Sequence, residues 1–166
     1  MSPSLRVPIA LCSFLGGIAA AFGLIFLFIF YSDINTRGHF GTLNDIAVTV
    51  QYILMLPIAV ALYQQLRPIN STRARTNLTI GLAGMLAVII LQLLLILEFI
   101  PFYAQIGPVI IAFLVVLAWF LMNRALGRVS DILPNGLPLT ILAGLVFGYP
   151  IWSYRLGRNL LASRAA

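Results

Sequence analysis

From Val7 to Tyr31 the chain carries no charged residue. As a helix rising about 1.5 Å per residue the run is about 37 Å long, and the hydrocarbon core of a bilayer is roughly 30 Å thick. Arg6 followed by an apolar stretch with AAA at 19–21 mimics a cleavable secretory leader. The run continues well past that point, so we read it as an uncleaved first crossing. Further apolar segments follow at about 45–64, 77–98, 103–122 and 137–154.

Composition agrees with this reading. Hydrophobic residues make up 61% of the 166 and charged residues only 8%, whereas soluble domains carry about 25% charged residues. A water-soluble fold would lack the side chains to cover its surface, and such a chain becomes favourable where lipid is the outer solvent. No segment alternates with period two along its length, so helices rather than a barrel must satisfy the backbone. The fold class expected is therefore all-α: a polytopic transmembrane helix bundle forming a single integral membrane domain over residues 1–166.

The breaks between segments follow from turn and cap chemistry. Asn44 and Asp45 are expected to cap the second helix and Asn77 the third, and Pro68 follows the point where the second should end. One helix from Asn77 to Met122 would be about 69 Å, so EFIPFYAQIGP at 98–108, with two prolines and a glycine, must turn it into a hairpin. The last segment is short: Leu137 to Trp152 gives about 24 Å. Five crossings are the preferred count, with four crossings plus a re-entrant segment as the alternative.

Orientation rests on arginine, since the chain has no lysine. Arg67, Arg73, Arg75, Arg124 and Arg128 fall in the second and fourth connections, against Arg37 in the first and none in the third. The positive-inside rule then puts the second and fourth connections, and the N-terminus with Arg6, in the cytoplasm. Arg155, Arg158 and Arg164 in the tail fit this pattern only if the last segment re-enters. Because the arginines sit in separate connections and not along one groove, they suit phospholipid headgroups rather than nucleic acid. Tyr31, Tyr63, Trp119 and Trp152 read as an aromatic belt.

One polar constellation stands out. Asp33, His39, Asp45 and Glu98 fall on the side opposite the arginine-rich connections, and Gln51 and Gln92 lie six residues inward of Asp45 and Glu98. Amides at one depth can bond across helices, and such interhelical bonding is the preferred reading of Gln51 and Gln92; the alternative is that Gln51, which shares a helical face with Asn44, makes a polar stripe lining a short outer vestibule. The spacing matches no metal motif, a single histidine cannot hold haem from two sides, and no G-x-S-x-G elbow occurs. No catalytic residue, metal site or cofactor is expected. Cys12, the only cysteine, excludes an intrachain disulfide. Gly144 and Gly148 form a G-x-x-x-G pair suited to close helix packing.

The stretch LMLPIAVALYQQLRPINSTRARTNLTIGLAGM, residues 54–85, resembles a pattern in small multi-pass bacterial membrane proteins grouped as a domain of unknown function. There a helix ends in a tyrosine-leucine-arginine-proline type of turn and a second helix follows. The resemblance covers roughly a fifth of the chain. It implies the bacterial cytoplasmic (inner) membrane and assigns no residue roles.

The functional expectation is a non-enzymatic structural or accessory subunit that works through helix–helix contacts. Its partners are the lipid bilayer, further copies of itself or other membrane subunits. The alternative is a small permease or channel binding a solute near the outer face. A metalloenzyme built on Asp33, His39, Asp45 and Glu98 is a third reading.

Overall fold

A computed structural model describes residues 3–32, 37–127, 133–134 and 136–162. Six helices follow one another: α1 (Pro3–Ser32), α2 (Arg37–Leu66), α3 (Ser71–Ile96), α4 (Phe102–Leu126), α5 (Leu137–Gly144) and α6 (Tyr149–Ala162). The first four are long and apolar enough to cross a membrane, so the protein is a multi-pass helical bundle. Leu11, Leu15, Ile18, Phe22 and Ile25 recur every three or four residues along α1 and are all exposed, as on a helix face that meets hydrocarbon. The facing stripe of α2, with Tyr52, Met55, Ile58, Leu62 and Leu66, is almost fully enclosed. This makes α2 the central helix.

Two helix starts differ from the cap assignments above. α3 begins six residues before Asn77, because Asn70 is the cap: its backbone is extended at φ −158° and its side chain accepts from the Arg73 amide at 2.9 Å. Asn77 is instead a buried residue inside α3. α2 likewise begins at Arg37, so Asn44 and Asp45 lie within the helix and not at its end. Contacts with α1 sustain the extra turns, Phe40 packing on Phe26 at 6.1 Å and Gly41 leaving room for Phe30.

The last apolar segment is a bent pair, its helices meeting at 117°. α5 starts level with the end of α4, where Thr140 shares a small cavity with Asn123 and Arg124, and it advances until Gly144 lies against Leu117. α6 returns antiparallel to the first half of α1. Gly17 meets Pro150 and Ser153, the Ser13 hydroxyl donates to the Ser153 carbonyl at 2.6 Å, and Gly157 meets Phe14. The pair thus begins and ends toward one end of the bundle, the geometry of a re-entrant hairpin beside four long helices, and the candidate crossings number four, or five if the bent pair is one of them.

The hairpin is held by aromatic packing. Phe120 of α4 sits edge-on to Trp152 and Trp119, each at 4.8 Å, and Tyr149 stacks on Trp152 at 6.0 Å. Trp119 and Trp152 are 1% and 3% exposed. They are core residues and not members of an interfacial belt, whereas Tyr31 is exposed as a belt residue would be.

Each helix packs on its neighbours in the order α1, α2, α3, α4, α5, α6, and α6 closes back on α1. Among the described residues no Cα of α1 comes within 8 Å of one of α4. The four long helices therefore form an open ring. The hairpin fills its gap over the half where α1 begins, and over the other half the gap stays hollow.

Candidate functional site

The hollow is a cavity of about 410 Å³. Its walls come from α1 (Ala20, Gly23, Leu24, Leu27, Tyr31), α2 (Asn44, Asp45, Val48, Gln51), α3 (Gln92) and α4 (Phe102, Gln105, Ile106, Val109, Phe113). Leu145, Val146 and Phe147, the apex of the hairpin, complete it. The apex turns tightly: Gly148 donates to the Leu142 carbonyl at 2.8 Å, and Val146 adopts φ 76°, a left-handed conformation unusual for a β-branched residue. Phe30 and Phe102, with ring centroids 6.4 Å apart, bridge α1 and α4 near its far end. A neighbouring hollow of about 400 Å³ shares Asn44, Asp45 and Tyr31 with it.

Apart from Tyr31 of α1, the polar residues of the lining belong to α2, α3 and α4. Asn44, Val48 and Gln51 are spaced four and three apart and so share a face of α2. The Asn44 amide reaches the Asp45 carboxylate at 3.4 Å, a long contact, while Thr49 donates to the Asp45 backbone carbonyl at 2.8 Å. Gln51 is 1% exposed; its amide nitrogen lies 3.9 Å from the Met55 sulfur and its Oε1 has no hydrogen-bond partner. Gln105 donates to Gln92 Oε1 at 2.9 Å and approaches the Leu91 carbonyl at 3.4 Å. No basic side chain is among the lining residues. The lining therefore holds a half-buried carboxylate and a glutamine whose buried amide oxygen is unpaired, both acceptors, in a largely apolar hollow.

Of the residues singled out from sequence, the cavity brings together Asp45, Gln51 and Gln92. His39 and Glu98 are exposed and outside its walls. His39 stands six residues before Asp45 on the same helix, about 120° around it at 3.6 residues per turn, which points the two apart. Glu98 sits in the α3–α4 turn at φ 60°. Asp33 lies outside the described residues. Among the described residues no three of His, Cys, Asp and Glu cluster as metal ligands.

Gln92 bonds Gln105, not Gln51. Gln105 falls inside the expected fourth segment, 103–122, but beside the prolines and glycine of 98–108 nothing singles it out; it is the fourth residue of α4 and stands about as far from the turn as Gln92 does. Of the glycine pair, Gly144 packs against α4, where an added Cβ would lie 2.8 Å from the Leu117 Cα. Gly148 serves the hairpin bend, where a Cβ would lie 2.9 Å from the Leu142 carbonyl carbon. The two do not share one helix.

No protein-family model matches this chain. Neither does a curated protein or a solved structure. Any functional reading must therefore come from the cavity and the surfaces of the bundle themselves.

Proposed function

We propose that the protein is a non-enzymatic membrane protein that binds a small amphipathic solute, as a permease or channel would, in the cavity between α1 and α4. The solute class is an apolar body bearing a donor group such as an amine or an amide N–H. The observation that carries this reading is a hollow of about 410 Å³, largely apolar, whose α2 wall holds the Asp45 carboxylate and Gln51, the Oε1 of which is buried without a partner. Its size falls in the range of about 300–1,000 Å³ typical of small-molecule sites, which are apolar with a few placed polar groups. Asp45 supplies a charge-assisted acceptor and Gln51 a second one, and the Gln92–Gln105 pair fixes the wall opposite α1.

Native mass spectrometry of the detergent-purified protein with hydrophobic aromatic amines, and with hydrocarbons of the same shape, tests the proposal. The amines should bind, and Asp45→Asn should weaken them by about tenfold, the loss expected of one charge-assisted hydrogen bond. Val48→Trp, which fills the cavity, should abolish binding while the protein still melts cooperatively. Equal binding of amine and hydrocarbon, or full binding by Val48→Trp, would remove the cavity as the site.

The arginine-bearing end is read as cytoplasmic, in a bacterial inner membrane, with both described chain ends on that side. The support is the positive-inside rule, since Arg6, Arg67, Arg73, Arg75, Arg124, Arg155 and Arg158 gather at the end where α1 begins.

The accessory-subunit reading has one observation of its own. An apolar groove between α3 and α4 is floored by Ala83, Gly84 and Ala87, small residues that let another helix approach closely. Disulfide trapping of Ala87→Cys in a Cys12→Ser background should yield a covalent dimer if that partner is a second copy; uniformly monomeric protein would speak against self-association there.

A further inference from the structure

A second cavity, of about 270 Å³, lies at the arginine-bearing end, between the first turns of α3 and the last turn of α4. Thr72, Arg73, Thr76 and Asn77 form one side of it, and Met122 and Leu126 stand opposite. Asn77 is the unusual member. It is 3% exposed, and its Nδ2 has no hydrogen-bond partner. Buried amide donors in packed proteins find a partner almost without exception, so an unpaired one on a cavity wall marks the place of a missing acceptor. Two neighbouring donors are already committed: the Arg73 backbone N–H donates to Asn70 Oδ1 at 2.9 Å and the Thr76 hydroxyl to the Thr72 carbonyl at 3.1 Å.

We propose that this cavity binds a phosphate group, carried by a phospholipid headgroup or free in solution. Its polar side holds a guanidinium that matches phosphate geometry and the N-terminal turn of α3, whose dipole favours an anion, with the buried, unpaired Asn77 amide nitrogen beside them. No carboxylate is among the lining residues. It lies at the ends of two crossing helices, the level at which lipid phosphates are found, and Met122 and Leu126 supply an apolar rim for the glycerol and upper acyl chain. The site is at the opposite end of the bundle from the solute cavity and does not rest on that reading.

The full chain, released from nanodiscs of phosphatidylglycerol or of phosphatidylcholine doped with diacylglycerol, is the material for the test, with bound lipid counted by native mass spectrometry. Phosphatidylglycerol should be retained and diacylglycerol, which has no phosphate, should not. Arg73→Gln should reduce retention by about fivefold, the effect of one arginine at a membrane surface, and Asn77→Leu by about as much through the loss of one hydrogen bond. Arg155→Gln removes the same charge from the same end but lies off the cavity, and should leave retention unchanged. Displacement of the lipid by millimolar inorganic phosphate assigns the phosphate alone as sufficient; resistance to it assigns the lipid as the source. Equal retention of diacylglycerol, equal losses in Arg73→Gln and Arg155→Gln, or no loss in either cavity variant would overturn the proposal. Replacing an unpaired buried amide with an apolar residue of similar size should hold or raise the melting temperature in phosphate-free detergent. If Asn77→Leu melts lower, the exposed Arg73→Gln variant decides alone on the same criteria.

Discussion

Buried amides occupy both ends of this bundle, and their partners decide what each one does. The Gln92–Gln105 bond ties α3 to α4 at 2.9 Å. In a membrane such a bond contributes about 0.6 kcal/mol, because the amides of a less folded chain also find partners within the bilayer. A double-mutant cycle on Gln92→Leu and Gln105→Leu, read by unfolding in detergent, should return a coupling of about that size. Glycine carries more at the same helix pair, since a Cβ on Gly81 would overlap the Trp119 ring. Gly81→Ala should destabilise the protein by about 1–3 kcal/mol through overpacking, seen as a lower melting temperature. Counting residues inward from the ends of apolar segments was enough to place Gln51 and Gln92 near one depth. It could not pair them, because partner choice depends on which helices are neighbours, and it missed Gln105 because nothing singles that residue out beside the prolines and glycine of 98–108. Asn77 shows the complementary failure, where a good capping residue in an apolar context is outcompeted by Asn70, free to take the extended backbone a cap needs.

At the scale of elements, the α5–α6 hairpin departs most from a simple count of crossings. The sequence contained its signature as a conflict: a segment too short to cross comfortably, enclosed by Pro138 and Pro150, and a tail whose arginines fit only if the chain turned back. What it did not contain was where the hairpin would lodge, since that follows from α1 and α4 standing apart and from the Phe120–Tyr149–Trp152 cluster. The turn itself is held in strain by Val146 at φ 76°. A left-handed backbone costs a side-chain-bearing residue about 1–2 kcal/mol, which glycine escapes. Val146→Gly should therefore be neutral or stabilising by up to about 1 kcal/mol in thermal unfolding, where the same change inside a helix would destabilise. A marked loss of stability would show that the Val146 side chain matters more to the cavity wall than its backbone strain does.

For the whole molecule, the asymmetry of charge and the open ring are two aspects of one design. The described arginines other than Arg37 collect at the end the hairpin plugs, while Asp45 and Glu98 belong to the hollow end. With four crossings and a re-entrant pair, a fluorescent reporter fused after Ala166 should be bright in the cytoplasm and an alkaline phosphatase fused there should be silent. An active phosphatase would mean either that the bent pair crosses after all or that the orientation is reversed, and a second fusion in the α2–α3 turn, silent in the first case and active in the second, separates the two. The hollow half of the ring has a further consequence. The Cα atoms of α1 and α4 stay more than 8 Å apart, so a solute that entered the hollow sideways between them would come from the bilayer and not from water. Binding strength quoted against the total dose of a compound should then climb with its lipophilicity across a chemical series, and adding empty vesicles should weaken it by drawing the compound away, with the affinity inside the bilayer unchanged.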